Sequence, residues 1–387
     1  MTGMELRRHL APAAIVTACL LPFDAFATSS WSASGSPAAI DYSLFGPAGA
    51  NILTGHLSAV FANSGVQAGP FELLPYGIAH LIAVHTALGW NIFYSVFVAV
   101  LSFGIVFGLS FVRGTAPRTW SWYLALAVSA VAVLGWCVPS AVVLGHPAEV
   151  VIPVLWACAA RCALEGRFAA TGVLVALSAG WEVWGVLGAP VILLAVSPKV
   201  WRAALAGAVT LALLYLPFLL TGTFTMFGFA WTVSNDTLLA AIAPALHAFP
   251  WSLRLLQAAI AIGAGCLIAV LGRRVVYGVW LVPLAVILFR LLLDPVLLSY
   301  YWFAPTIVGI GMAADAVQRR QLIPLAFAAV VVGVCSVREA ATFWGAGIVG
   351  LLSVAFVLVA RRVDLGAILT RDRRGVLDRK DAETSPQ

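Results

Sequence analysis

The chain has 387 residues, of which 62% are hydrophobic and only 10% are charged, and its mean hydropathy is +1.00. Soluble domains need much more charge to cover their surface, so this composition excludes a chain of two or three soluble units. The formal net charge of +6 comes mostly from short Arg clusters between apolar stretches. That pattern is typical of the cytoplasmic loops of membrane proteins, so the membrane is the expected partner and nucleic acid is not.

Crossing a bilayer takes roughly 20 apolar helical residues. The sequence predicts an all-α polytopic membrane protein of about 10–13 transmembrane helices, with one transmembrane domain over 1–360 and a charged, disordered cytoplasmic tail over 361–387. The predicted spans are 10–27, 90–111, 120–143, 148–164, 203–221, 253–271, 276–292, 300–316, 321–337 and 341–360.

Two further stretches fit a simple span badly. Residues 71–88 carry Glu72 and Pro75, which predicts an interfacial segment, a re-entrant segment or one short helix. Residues 168–196 are too long for one crossing and are interrupted at Glu182 and the two residues before it. We predict a tight hairpin of two short helices there, with its tip buried in protein.

The distribution of Lys and Arg predicts the orientation. With both termini in the cytoplasm of a plasma-membrane protein, all 22 basic residues face inward except Arg254, Arg290 and Arg338. Residues 28–70 and 222–252 then form outer loops. The first of these loops is expected to carry short amphipathic helices.

The N-terminus allows two interpretations. Arg7 and Arg8, an apolar run and Ala25-Phe26-Ala27 imitate a cleavable signal peptide. An uncleaved first helix is favoured, since the loop after it needs an anchor beside the bundle. Either way, residue 28 emerges outside.

Asp41 is the candidate catalytic residue. It opens the stretch DYSLFGPAGANILTGH (41–56), which predicts a short amphipathic helix in a loop without Lys or Arg. Asp41 is either the cap of that helix or a general base that accepts a proton from an acceptor hydroxyl.

Three polar residues lie near the ends of apolar stretches and are candidate binding residues. His146 and Glu149, in GHPAEV, either line a site or, for Glu149, complement the dipole of the following helix. Glu182 lies at the hairpin tip between Trp181 and Trp184. A carboxylate between indoles inside a bundle should have a partner or be protonated, which favours a functional role for Glu182.

The segment FRLLLDPVLLSYYWFAP (289–305) contributes four more candidates. Arg290 and Asp294 have the spacing of a helical ion pair. Tyr300 and Tyr301 fit either an aromatic belt or a binding site.

Arg254 and Arg338 complete the candidate set. Arg338 precedes Glu339 in a tight outer turn, where the two could form an ion pair. Together with Arg290, these three outward-facing Arg residues suit a phosphate at the level of the lipid headgroups.

Several common sites are missing from the sequence. There is no CxxC pair, so neither a zinc site nor a disulfide framework is expected. There is also no Gly-rich phosphate loop and no DxD run, so a nucleotide-sugar donor is not expected. No cofactor is predicted, and nothing in the sequence demands a metal.

The order of several short motifs resembles a known family. They are ILTGH (52–56), QAGPF (67–71), GHPAE (145–149), EGR (165–167), GVLVALSAGWEVWGVLGAPVILL (172–194) and LLLDPVLLSYYWFAP (291–305). With Asp41 in the first outer loop, this layout resembles the GT-C superfamily of integral-membrane glycosyltransferases. It looks most similar to the actinobacterial, mannosyltransferase-like branch, and the resemblance covers most of the chain.

The resemblance implies a hexosyltransferase of the cell envelope. Its donor would be a polyprenyl-phosphate sugar, with mannose expected, and its acceptor a lipid or glycan on the outer face. Asp41 would be the base of a single inverting displacement, and outward Arg would stabilise the departing polyprenyl phosphate. The family often has Lys near the hairpin break, where this chain has Glu182.

Two other functions compete with this one. A transporter or lipid flippase would place polar residues through the midplane and show repeat symmetry. A non-catalytic subunit of the same fold would have lost donor contacts, which the change to Glu182 allows.

Overall fold

The computed structural model describes residues 9–18, 41–85, 90–113, 123–124, 126–127, 130, 137–195, 197–273, 277–337 and 347–357. Half of the predicted span 120–143, Arg338 and the tail 361–387 lie outside the described residues. The α-helices in chain order are α1 His9–Ala18, α2 Tyr42–Leu53, α3 Leu57–Val60, α4 Pro70–His85, α5 Trp90–Val112, α6 Val138–Val143, α7 Ala148–Leu164, α8 Phe168–Trp181, α9 Trp201–Thr221, α10 Leu238–Ile242, α11 Trp251–Leu271, α12 Gly278–Leu292, α13 Phe303–Arg319, α14 Leu322–Ser336 and α15 Gly347–Val357.

The remaining regular structure is short. The 3₁₀ segments are Val183–Leu194, Pro198–Val200, Met226–Gly228 and Ser299–Trp302. Strands β1 (Ala230–Thr232) and β2 (Ala248–Pro250) pair antiparallel inside the predicted loop 222–252. The all-α class is thus confirmed for the described residues, apart from this one small hairpin.

Among the described residues, three helical segments are long and apolar enough to cross a membrane: Phe93–Val112, Pro198–Thr221 and Trp251–Leu271. The second is hardly covered by protein, with Leu213 73% and Leu220 75% exposed. Such a continuous apolar surface needs an apolar environment, which fits a helix facing lipid. The number of crossings stays a prediction, because the other apolar helices among the described residues are shorter.

The hairpin predicted over 168–196 is confirmed, with its break at Glu182, but its tip at 181–184 is half-buried and not buried as predicted. Helix α8 ends at Trp181, Glu182 is extended, and the chain returns as the 3₁₀ segment Val183–Leu194. This second arm packs so closely that a Cβ on Gly185 would overlap the backbone of Ser178. Pro190, which has no N–H to donate, also lies within this arm.

Of the stretch 71–88, for which three structures were open, the described residues 71–85 belong to the single helix α4. It packs against α2, whose position matches the predicted amphipathic helix. The two backbones touch at Gly49 and Gly77, where either added Cβ would overlap the other helix. This contact fixes where α2 begins, and therefore where Asp41 lies.

The centre of the bundle is formed by α7, α12 and α13, whose residues are almost all buried. Helix α7 contacts α5, α8, α12 and α13. Its N-terminal end, the tip of the 168–196 hairpin, the start of α11 and the end of α12 meet at one end of the bundle. The candidate site is there.

Candidate functional site

A cavity of about 540 Å³ opens at this end of the bundle. Seven of the ten predicted site residues line it: Asp41, His146, Glu182, Arg254, Arg290, Tyr300 and Tyr301. Glu149 and Asp294 lie behind its wall, each paired with one of the lining Arg residues. Arg338 lies outside the described residues.

Asp41 does not cap its helix through its side chain. Its backbone carbonyl accepts from the amide of Phe45 at 2.8 Å, but its carboxylate makes no capping hydrogen bond. Instead, Oδ2 lies 2.8 Å from Nε2 of His146. The Asp41 side chain is still 37% exposed, so it can meet a ligand in the cavity.

His146 lies between two carboxylates, in the turn that joins α6 to α7. Its ring stacks on Tyr300 with centroids 3.8 Å apart, which fixes the plane of the imidazole. Nδ1 lies 3.5 Å from Oε1 of Glu182, on the side of the ring opposite Asp41. Burial by itself would lower the pKa of His146, but the neighbouring carboxylates of Asp41 and Glu182 outweigh it and raise that pKa to about 9.

Glu182 is held by pairing between the hairpin tip and the segment before α4. Ala68 forms an isolated antiparallel bridge with Glu182, and the amide of Gly69 donates to the carbonyl of Trp181. A Cβ on Gly69 would overlap the backbone of Gly180, so the two segments are in direct contact. The extended backbone of Glu182 therefore comes from this pairing.

The predicted ion pair between Arg290 and Asp294 is wrong. Arg290 donates to both oxygens of Glu149, at 3.0 and 3.2 Å, and Arg254 donates to both oxygens of Asp294, at 2.8 and 3.3 Å. Helix α12 ends at Leu292, so Asp294 is past the last turn and its side chain no longer follows the helical spacing. The interpretation of Glu149 as a partner for the helix dipole alone also fails, since a buried guanidinium satisfies it.

Aromatic rings cover the faces of both guanidinium groups. Arg290 lies 4.0 Å from the ring centroid of Trp184 and 4.9 Å from that of Tyr301, and Arg254 lies 4.1 Å from that of Trp231. A guanidinium has five N–H donors, and its pair with a carboxylate occupies only part of them. Both side chains can therefore still donate to an anion in the cavity.

Sequence reasoning missed Glu72 and Gln257 as site residues. Gln257 accepts from Arg254 at 2.8 Å and donates to the carbonyl of Arg290 at 2.7 Å, which links the two Arg residues. Glu72 is fully buried beside His146 and Glu182. Its signal in the sequence is an acid in an otherwise apolar stretch, which argues against a full span but does not show which residues lie beside it.

Comparison of the chain with protein-family models, with curated proteins and with solved structures found no match. The function is therefore inferred from the residues of the cavity.

Proposed function

We propose that the protein is an integral-membrane glycosyltransferase of the GT-C kind. It moves a hexose, with mannose expected, from a polyprenyl-phosphate donor to a lipid or glycan acceptor on the outer face of the plasma membrane. The observation that carries the proposal is the position of the Asp41 carboxylate. It leaves its own helix uncapped and faces a cavity that also presents two guanidinium groups.

The cavity offers one environment for a phosphate and another for an aliphatic chain. Arg254 and Arg290 supply N–H donors suited to a phosphate. Leu255, Leu298 and Val186 line the same cavity and are 66%, 37% and 36% exposed. The cavity thus reaches the exposed apolar surface of the bundle, where a polyprenyl chain would lie in the bilayer.

The chemistry needs one base and one anion-binding wall. Asp41 accepts the proton of the acceptor hydroxyl as its oxygen forms a bond to the anomeric carbon of the sugar. The bond from that carbon to the phosphate oxygen breaks, and the polyprenyl phosphate leaves with the electron pair, stabilised by Arg254 and Arg290. His146 orients the Asp41 carboxylate through the contact of 2.8 Å between its Nε2 and Oδ2 of Asp41.

The placement of acidic groups supports this function over transport. The carboxylates of Asp41, Glu72, Glu149, Glu182 and Asp294 gather around one end of the bundle. A transporter needs polar groups along a path through the membrane. A lateral groove for a lipid donor needs them at one face only.

The test is sugar transfer by the purified full-length protein in lipid nanodiscs, given radiolabelled polyprenyl-phosphate mannose and lipid extracted from the native membrane. Asp41→Asn keeps the size of the side chain but cannot accept the proton, so transfer should fall about 10²- to 10⁴-fold. Asp236→Asn is the matched control, because Asp236 is an exposed acid on the predicted outer side that does not line the cavity. It should transfer at the wild-type rate.

Two results would overturn the proposal. Transfer by Asp41→Asn within about threefold of wild type is too small a loss for a general base. Movement of labelled lipid between leaflets by the wild-type protein, with no sugar transferred, would identify a flippase.

A further inference from the structure

Three ligand groups converge beside the cavity from separate parts of the fold. Glu72 comes from α4, His146 from the turn before α7, and Glu182 from the hairpin tip. One ligand atom of each lies within 4.8 Å of the other two. His146 Nδ1 and Glu182 Oε1 are already 3.5 Å apart, close to the separation of about 3.4 Å between two ligands on a tetrahedral zinc ion.

Glu72 forms no hydrogen bond with the described residues that would explain its burial. Its side chain is fully buried, and neither carboxylate oxygen has a hydrogen-bond partner among the described residues. The amide of Ala148 faces this carboxylate without forming a hydrogen bond of ordinary geometry. Burying an unpaired carboxylate is costly unless it is neutralised or coordinates a cation.

The neighbouring charges increase this cost. Glu182, Glu149 and Asp41 all act on Glu72 with the same sign of charge. Arg290 neutralises Glu149, which leaves three carboxylates around one imidazole. A divalent cation held between these ligands would offset the repulsion among the carboxylates.

The orientation of His146 leaves one nitrogen for such a cation. Nε2 lies 2.8 Å from the Asp41 carboxylate, so it carries a proton and donates it. Nδ1 is buried and has no hydrogen-bond partner among the described residues. A carboxylate that fixes the remote N–H of an imidazole is the usual support of a metal-bound histidine.

We propose that Glu72, Nδ1 of His146 and Glu182 bind one divalent transition-metal ion, with zinc favoured. Zinc accepts imidazole nitrogen and carboxylate oxygen at about 2.0 to 2.2 Å, and three protein ligands leave a position for water or a ligand. The ion would tie α4, the α6–α7 turn and the hairpin tip together. This proposal does not rest on sugar transfer and is tested without a donor.

The experiment uses the full chain, purified in detergent and stripped of metal with a chelator. Zinc, manganese and calcium are added separately, and bound metal is counted by mass spectrometry after desalting. One zinc ion per chain is expected to bind more tightly than manganese, and calcium should bind weakly, since calcium prefers six to eight oxygen ligands. Calcium bound in preference to zinc, or no zinc bound, would overturn the proposal.

Variants assign the ligands. Glu72→Gln and Glu182→Gln should weaken zinc binding by more than about 100-fold, since loss of an outer partner alone costs about 10- to 100-fold. Glu165→Gln is the matched control, because Glu165 pairs with Arg161 at the other end of α7. It should bind zinc like wild type. Zinc affinity of Glu72→Gln equal to that of wild type would remove Glu72 from the site.

Thermal unfolding and zinc-edge absorption keep the test decisive if a variant folds poorly. Zinc should raise the thermal midpoint of wild type and of Glu165→Gln, because it binds the folded state. The X-ray absorption spectrum of the wild-type protein at the zinc edge should show only nitrogen and oxygen atoms bound to the zinc ion. A sulfur neighbour would mean that cysteine holds the ion and would reject the proposed ligands.

Discussion

At the level of single residues, the partners of the charged groups are set by contacts between helices rather than by spacing along the chain. Asp41 meets His146 across 105 residues, and Arg290 meets Glu149 across 141. A sequence identifies such residues as unusual, because charge is rare in an apolar chain. It cannot pair them, since the pairing depends on which helix ends meet.

The Arg290–Glu149 pair should be structural as well as part of the cavity wall. Both side chains are nearly or fully buried, so removing one partner leaves an unpaired buried charge. Arg290→Met or Glu149→Gln alone should cost about 3 to 5 kcal/mol of stability, whereas the double substitution should cost much less than the sum. Reversible unfolding of the detergent-solubilised protein measures the free energy of unfolding of the two single variants and of the double variant.

The control for this double-mutant cycle is the ion pair of Arg161 and Glu165, whose side chains are 31% and 34% exposed. Exposed helical pairs contribute about 0.3 to 0.5 kcal/mol, so the same cycle there should give a coupling of that size. Equal coupling at the two pairs would show that burial of Arg290 and Glu149 does not decide their contribution.

At the level of elements, the α2–α4 contact positions Asp41, the proposed base. Gly49→Ala places a methyl group against the carbonyl of Leu73 and the backbone of Gly77. The helices must separate, which should cost about 1 to 3 kcal/mol or more and move Asp41 away from His146. We expect a lower thermal midpoint together with a loss of sugar transfer.

Gly104→Ala is the matched control in helix α5. A Cβ there meets nothing within 4 Å among the described residues, so the same substitution should be neutral or stabilise the helix by up to about 1 kcal/mol. If Gly49→Ala unfolds and transfers sugar like Gly104→Ala, the close packing of α2 on α4 does not position Asp41.

The sequence predicts the elements well where an apolar run has clear ends. Helix α7 occupies the predicted 148–164, and the hairpin breaks at Glu182 as expected. The β1–β2 pair and the 3₁₀ arm of the hairpin were not predicted, because tertiary contacts rather than hydrophobic periodicity define them. Glu72 was missed as a site residue for the same reason, since its neighbours come from other elements.

At the level of the whole molecule, charged groups separate to the two ends of the bundle. The cavity end holds Asp41 and Arg290, while Asp315 at the other end interacts with Arg113 and Arg161. Helix α7 spans this distance with 17 residues, or about 25 Å. In the predicted threading, the cavity end faces outward and the other end faces the cytoplasm.

This threading predicts which cysteines react with an impermeant thiol reagent added to intact cells. Asn63 and Asn235 are exposed near the cavity end, so Asn63→Cys and Asn235→Cys should be labelled from outside. Glu165→Cys, at the far end of α7, should be labelled only after the membrane is permeabilised, and so should Ala382→Cys, in the tail beyond the described residues. The wild-type chain, with its six native cysteines, gives the background labelling.

Labelling of Glu165→Cys but not Asn63→Cys in intact cells would reverse the orientation and place the cavity in the cytoplasm, away from an outer-face donor. Labelling of both would contradict a bundle that crosses the membrane between these two residues.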